Sequence, residues 1–169
     1  MAKKTSKHDG STASSRERTY LVVVDDSDEF QIALEYTYRR VCKIGGNIAL
    51  LHTIEDDQDF HHWTGVRDLM IQEKREEAEQ LMQRYSDQIY QRTHKLPVLH
   101  IRNGKIINEL LALLDEERSI SVVVLGASSA DGNPGPIITQ AILQNSGKLR
   151  VPFIIVPGHL SNEELDHIT

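Results

Sequence analysis

A chain of 169 residues with 39% hydrophobic and 26% charged residues has the composition of one soluble globular domain with a sizeable core. Its formal charge is −6; five cations and two acids in the first 18 residues make that segment +3, so the remainder carries −9, a balance that disfavours nucleic acid as a partner. Cys42 is the one cysteine and excludes an internal disulfide, while no apolar run nears the roughly 18 residues of a membrane span. The lysines at the start precede no apolar core, so a secretory signal is not expected, and the default is a cytoplasmic protein with no membrane partner.

Residues 1–18 are rich in Ser, Thr and Lys and read as a disordered tail. Thr19 to Val24 is a buried strand that breaks at Asp25-Asp26-Ser27-Asp28. Ser27 suits a helix N-cap, with Asp28 and Glu29 in the first turn where the dipole favours acids. The helix carries Ile32, Ala33, Tyr36, Val41 and Ile44 at roughly helical spacing and ends at Gly45-Gly46. Asn47 to Ile54 is the second strand, and a polar segment follows to Gly65. From Val66 to about His94 a long amphipathic helix turns Val66, Met70, Ala78, Leu81, Met82, Tyr85 and Ile89 inward. Its run from Glu73 to Glu79 reads as a solvated face and not as a binding site.

Leu96 to Ile101 is the third strand, with Pro97 at its start, where a missing N–H does least harm. Arg102-Asn103-Gly104 turns the chain into a helix whose inner face is Ile106, Ile107, Leu110, Leu111, Leu113 and Leu114. Ile120 to Gly126 is the fourth strand, Ala127 to Pro136 a Gly/Pro/Ser loop, Ile137 to Gly147 a helix, and Val151 to Pro157 the fifth strand. Residues 159–169 read as a polar tail, which leaves 19–158 as the domain.

The five strands are continuous apolar runs rather than alternating ones, the mark of a parallel sheet covered on both faces. Right-handed crossovers make this a doubly wound, Rossmann-like α/β fold. In the order 3-2-1-4-5 the ends of strands one and four, at Asp25 and Gly126, flank the point where the winding reverses. Ligands bind there because strand ends open into loops and the next helix begins with unpaired N–H groups. A carboxylate at the end of strand one suits a ribose hydroxyl or a metal; acids in that place also start helices, which is the plainer role for Asp26 and Asp28.

Five short motifs in order point to a family. They are Val24-Asp25-Asp26-Ser27 with Ala33-Leu34, Leu51-His52-Thr53, Gly104, Val124-Leu125-Gly126, and Pro152-Phe153-Ile154-Ile155-Val156-Pro157. Together they resemble the universal stress proteins over about Thr19 to Pro157. The resemblance implies the 3-2-1-4-5 sheet of adenine-nucleotide hydrolases and a ligand between Val24-Asp25, Thr53 and Leu125-Gly126. It puts Asp25 on the ribose, Thr53 near the base and a glycine loop around the phosphates. It also implies a stress-response regulatory protein and a homodimer.

ATP-binding members carry Gly, two residues, Gly, nine residues, then Gly-Ser or Gly-Thr. Here Gly126 keeps the first position, Ser129 takes the second, and Thr139-Gln140 is the closing pair. A β-branched residue blocks the close approach and positive φ that glycine allows. The reading is therefore a degraded loop with weak or no ATP binding and no required cofactor. The alternative is a member that binds ATP or another adenine nucleotide and hydrolyses it slowly. It draws on the displaced glycines of Asp131-Gly132-Asn133-Pro134-Gly135-Pro136 and the hydroxyls of Ser128, Ser129 and Thr139.

No nucleophile elbow or Cys/His pair supports catalysis. The cluster Asp56-Asp57-Gln58-Asp59-Phe60-His61-His62 lacks the fixed geometry a metal needs, and His52 and His100 read as structural. A receiver domain would need an acceptor Asp after strand three, where Arg102-Asn103-Gly104 stands. A nicotinamide dehydrogenase would need a Gly-x-Gly-x-x-Gly turn after strand one, where Asp25-Asp26-Ser27 stands. Val151 to Pro157, an apolar strand at a sheet edge without a blocking charge, is the expected homodimer contact.

Overall fold

The structure, a computed structural model, describes residues 17–55, 64–128 and 133–169, and of 64–68, 142 and 143 only the backbone. The tail expectation for residues 1–16, the Asp56 to His62 cluster and Ser129 lie outside the described residues. The elements are β1 Thr19–Val23, α1 Asp28–Ile44, β2 Asn47–Ile54, α2 Thr64–Thr93, β3 Val98–Asn103, α3 Ile106–Glu116, β4 Ile120–Ala127, α4 Pro136–Thr139, β5 Phe153–Pro157 and α5 Asn162–Ile168. The five strands form one sheet in the order β3-β2-β1-β4-β5, every pair parallel.

The two faces of β1 explain the layering. Tyr20, Val22 and Val24 point into one core with Phe30, Leu34, Met82, Tyr85 and Ile89, and Leu21 and Val23 point into the other with Leu110, Leu113 and Ile138. A strand alternates faces residue by residue, so a strand apolar at every position needs a helix layer on each side. The first core lies under α1, which packs on β4 and β5, and α2, which packs on β2 and β3; α3 covers β2 from the other side.

Sequence signals set the helix ends. The Ser27 hydroxyl accepts the Phe30 N–H at 3.1 Å, and Asp28 and Glu29 occupy the first turn of α1. Gly45, at φ 77°, closes the same helix with its N–H on the Val41 carbonyl. The end of α3 is held from elsewhere in the chain. Arg150 Nη2–H donates to the carbonyls of Leu114, Glu117 and Ile120 at 2.7, 3.2 and 3.4 Å, and its Nε–H donates to Leu114 at 2.9 Å. A guanidinium thus satisfies the carbonyls that a helix leaves unpaired at its C-terminus.

Three stretches differ from the expectation. Residues 17 and 18, placed in the tail, are anchored: Glu17 pairs with Lys95 at 3.1 Å, and the Arg18 carbonyl accepts the Asn47 N–H. The helix expected from Ile137 to Gly147 is α-helical only to Thr139, then π-helical over Gln140–Gln144 and 3-10 over Ser146–Lys148. The segment read as a polar tail, 159–169, carries α5, whose Ser161–Glu164 capping box is complete. Leu165 is fully buried in the first core, and Arg39 of α1 donates to Asn162 and Asp166 at 2.7–2.8 Å.

Candidate ligand-binding cleft

The ends of β1 and β2 are tied together. The Val24 N–H donates to the Leu51 carbonyl at 2.8 Å, and His52 Nδ1 lies 2.9 Å from the Val24 carbonyl. A carbonyl only accepts, so Nδ1 carries the proton in this contact. Asp25 folds back on the start of α1, its Oδ1 accepting the Ser27 N–H at 3.1 Å and the Ser27 hydroxyl at 2.6 Å.

Asp26 sits at φ 57°, in the left-handed region that Asp tolerates better than most residues. Contacts to α2 hold it there. The Tyr85 hydroxyl donates a short hydrogen bond to Asp26 Oδ1, the Arg84 guanidinium stands 3.6 Å from the same oxygen, and Gln31 donates to the Tyr85 oxygen at 2.6 Å. The Tyr85 ring meets Phe30 edge-on at 4.8 Å and is buried. Burial, then the hydrogen bond to Asp26, pushes the Tyr85 phenol up to about 12.

Between these strand ends and α2 lies a cleft. One lobe, of about 460 Å³, is lined by His52, Thr53, Ile54 and Glu55 and by Lys74, Glu77, Ala78 and Leu81 of α2. The other, of about 480 Å³, is lined by Asp26, Glu77, Gln80, Leu81 and Arg84. Glu77 and Leu81 border both. Each is of a size that holds a small molecule. Among the described residues no group of three or more His, Cys, Asp or Glu side chains has metal-binding geometry, and no helix is long and apolar enough to cross a membrane.

The universal stress protein family profile matches residues 17–156. The chain belongs to this family. A comparison with curated proteins finds no match. Among solved structures, the chain is similar to the universal stress protein UspA of Lactobacillus plantarum, with a TM-score of 0.68 and 17% identity over 84% of this chain and 99% of that one. It is similar to a universal stress protein family protein of Arabidopsis thaliana solved with AMP bound, with a TM-score of 0.56 and 13% identity over 87% of this chain and 94% of that one. A universal stress protein in complex with cAMP matches with a TM-score of 0.56 and 12% identity over 84% of this chain and 98% of that one.

Against this family background, the expected site residues divide. Thr53 lines the cleft, and Val24 and Asp25 stand beside Asp26, which lines it too. Leu125 is buried in the core under α3. Gly126 meets the start of α1: a Cβ built on it would lie 2.3 Å from the Glu29 carbonyl oxygen and 2.9 Å from the Phe30 nitrogen. A packing need thus accounts for glycine here without any phosphate. Thr139 lies in the right-handed helical region at φ −58°, its hydroxyl donating to the Gly135 carbonyl at 3.0 Å, and Gln140 is exposed at the start of the π-turn.

The α2 contribution was not expected from sequence. Lys74 and Glu77 belong to the run read as a solvated charged face, and both border the cleft. The run itself gives no sign of it, because the facing depends on where α2 crosses the strand ends. The one signal in reach was the spacing of Ala78, Leu81 and Tyr85, which fixes the inward stripe and so the residues on its margin.

Proposed function

We propose that this protein is a regulatory, non-catalytic universal stress protein of the cytoplasm that acts as a homodimer and binds ATP weakly or not at all. Its cleft between Val24-Asp25, Thr53 and α2 takes the nucleoside part of an adenine nucleotide. Relatives solved with AMP and with cAMP support that ligand class. The weak triphosphate binding rests on Thr139. Where the family pattern calls for a backbone open to phosphate, this chain has a branched residue whose hydroxyl is already used within α4. That helix also opens with Pro136, which has no N–H to offer.

The homodimer rests on a contrast between the two sheet edges. β3 carries Arg102, paired with Glu116, and charges on an edge discourage pairing. From Val151 to Pro157 there is no charged residue, and Ile155 is 38% exposed.

Titration of the purified protein with ATP and magnesium tests the central claim. No complex is expected below high micromolar concentration. A one-to-one complex of low-micromolar affinity would overturn it in favour of a phosphate loop rebuilt around the displaced glycines. Should a nucleotide bind, Asp25→Ala is expected to weaken it; unchanged affinity would remove Asp25 from the site.

A further inference from the structure

We infer that a side pocket at the ends of β2 and β3 receives the base of the nucleoside, and that the Asn103 carboxamide reads the adenine amine there. The inference rests on the reading of the cleft proposed above. The pocket has a volume of about 110 Å³ and is lined by Ile54, Glu55, Ile71, Lys74 and Asn103. It shares Ile54, Glu55 and Lys74 with the lobe that Thr53 borders. An apolar cavity of about 150 Å³ holds a benzene ring, so this pocket takes the edge of a purine and not a whole nucleoside. Ile54 is buried and Ile71 partly buried, which makes two of its walls apolar where a flat ring would lie. Neighbouring strands lie about 4.8 Å apart, so the ends of β1 and β3, on either side of β2, are about 10 Å apart. A nucleoside laid across the end of β2 can reach from Asp25 to Asn103.

The sheet fixes the place of Asn103. It pairs with Ile54 in the parallel register, and the N–H of the next residue, Gly104, donates to the Ile54 carbonyl at 3.0 Å. Ile101, two residues earlier, packs on the first core, so Asn103 stands on the same face of β3, the one that α2 covers. Among the described residues its carboxamide makes no hydrogen bond, whereas Lys74 Nζ already donates to the Glu55 carbonyl at 3.4 Å. A carboxamide presents an acceptor oxygen beside a donor NH2. Adenine presents the complementary pair, an exocyclic amine beside a ring nitrogen, and the two join through two hydrogen bonds. Asn103 is neutral, so this recognition does not depend on the charges along the cleft.

Calorimetric titration of the full chain with adenosine and with purine riboside, the same nucleoside without the amine, tests this for the native protein and for Asn103→Ala and Asn103→Asp. The native protein is expected to bind adenosine about five- to tenfold more tightly than purine riboside, the worth of one hydrogen bond. Asn103→Ala is expected to bring the two nucleosides level by weakening adenosine. Asn103→Asp keeps an acceptor for the amine and is expected to retain the preference. Far-ultraviolet circular dichroism of each variant establishes that it is folded, which the exposure of Asn103 favours. Equal binding of the two nucleosides by the native protein would overturn the inference while the cleft reading stands. A preference that survives in Asn103→Ala, with both nucleosides weakened alike or unchanged, would overturn the role of Asn103. Binding of neither nucleoside would overturn the cleft reading and this inference together.

Discussion

Replacing Gly126 by alanine tests why this glycine is present. The new Cβ would lie 2.3 Å from the Glu29 carbonyl oxygen, 2.4 Å from its carbon and 2.9 Å from the Phe30 nitrogen. These are backbone atoms in the first turn of α1, a turn fixed by the Ser27 cap and by the buried Phe30 ring. No side-chain rotation relieves the contact, so α1 must shift away from β4. Over-packing in a filled core costs about 1–3 kcal/mol, and a clash with a fixed backbone peptide belongs at the upper end of that range. In a chain of this length such a loss lowers Tm by about 6–12 °C.

Urea unfolding followed by circular dichroism measures the loss directly. Gly147→Ala is the control, because a Cβ there meets nothing within 4 Å; it is expected to stay within about 0.5 kcal/mol of the native protein. A Gly126→Ala protein as stable as that control would refute the packing argument and return Gly126 to the ligand loop.

Arg150→Met keeps the aliphatic stem but removes the guanidinium donors from the carbonyls of Leu114, Glu117 and Ile120, of which Glu117 keeps the Ile120 N–H, and is expected to cost about 2–3 kcal/mol in the same urea assay. Tyr85 has a folded-state phenol near 12 against an ordinary value of 10, so the folded state holds that proton more tightly. The stability this gives is complete below pH 10 and is lost as pH rises through 10 towards 12; Tyr85→Phe should flatten that part of the stability–pH curve, and an unchanged slope would contradict the assignment. Ile155→Lys places a charge on the exposed part of β5 and is expected to convert a dimer to monomer in light scattering without lowering Tm by more than about 2 °C; native protein that is monomeric at high micromolar concentration would refute the dimer.

The strands were legible because their chemistry is extreme. Leu21, Val22, Val123 and Val124 are fully buried, and a residue run that is apolar on both faces has few other places to go. The turn at Ser27 and the stop at Gly45 were legible because one side chain or one φ value determines each. The helix α5 was hidden by its composition, with Leu165 as its only buried residue, although Ser161 and Glu164 already spelled a capping box. The π-turn at Gln140–Gln144 was hidden inside a stretch whose sequence reads as one continuous helix. The strand side of the cleft followed from topology. Its α2 side did not, because the Tyr85–Asp26 bond joins residues 59 apart in sequence.

The glycine pattern separates two requirements that the family's sequence motif merges. Gly126 lies against the backbone of α1, and Gly158 lies against Glu29 and the Ala127 carbonyl, so both positions are constrained by the fold itself. Position 139 carries no such constraint: Thr139 sits at helical angles with its hydroxyl satisfied by Gly135. A glycine needed only for phosphate can be replaced without cost to the sheet, whereas one needed for helix packing cannot. Retention of Gly126 is thus weak evidence for nucleotide chemistry.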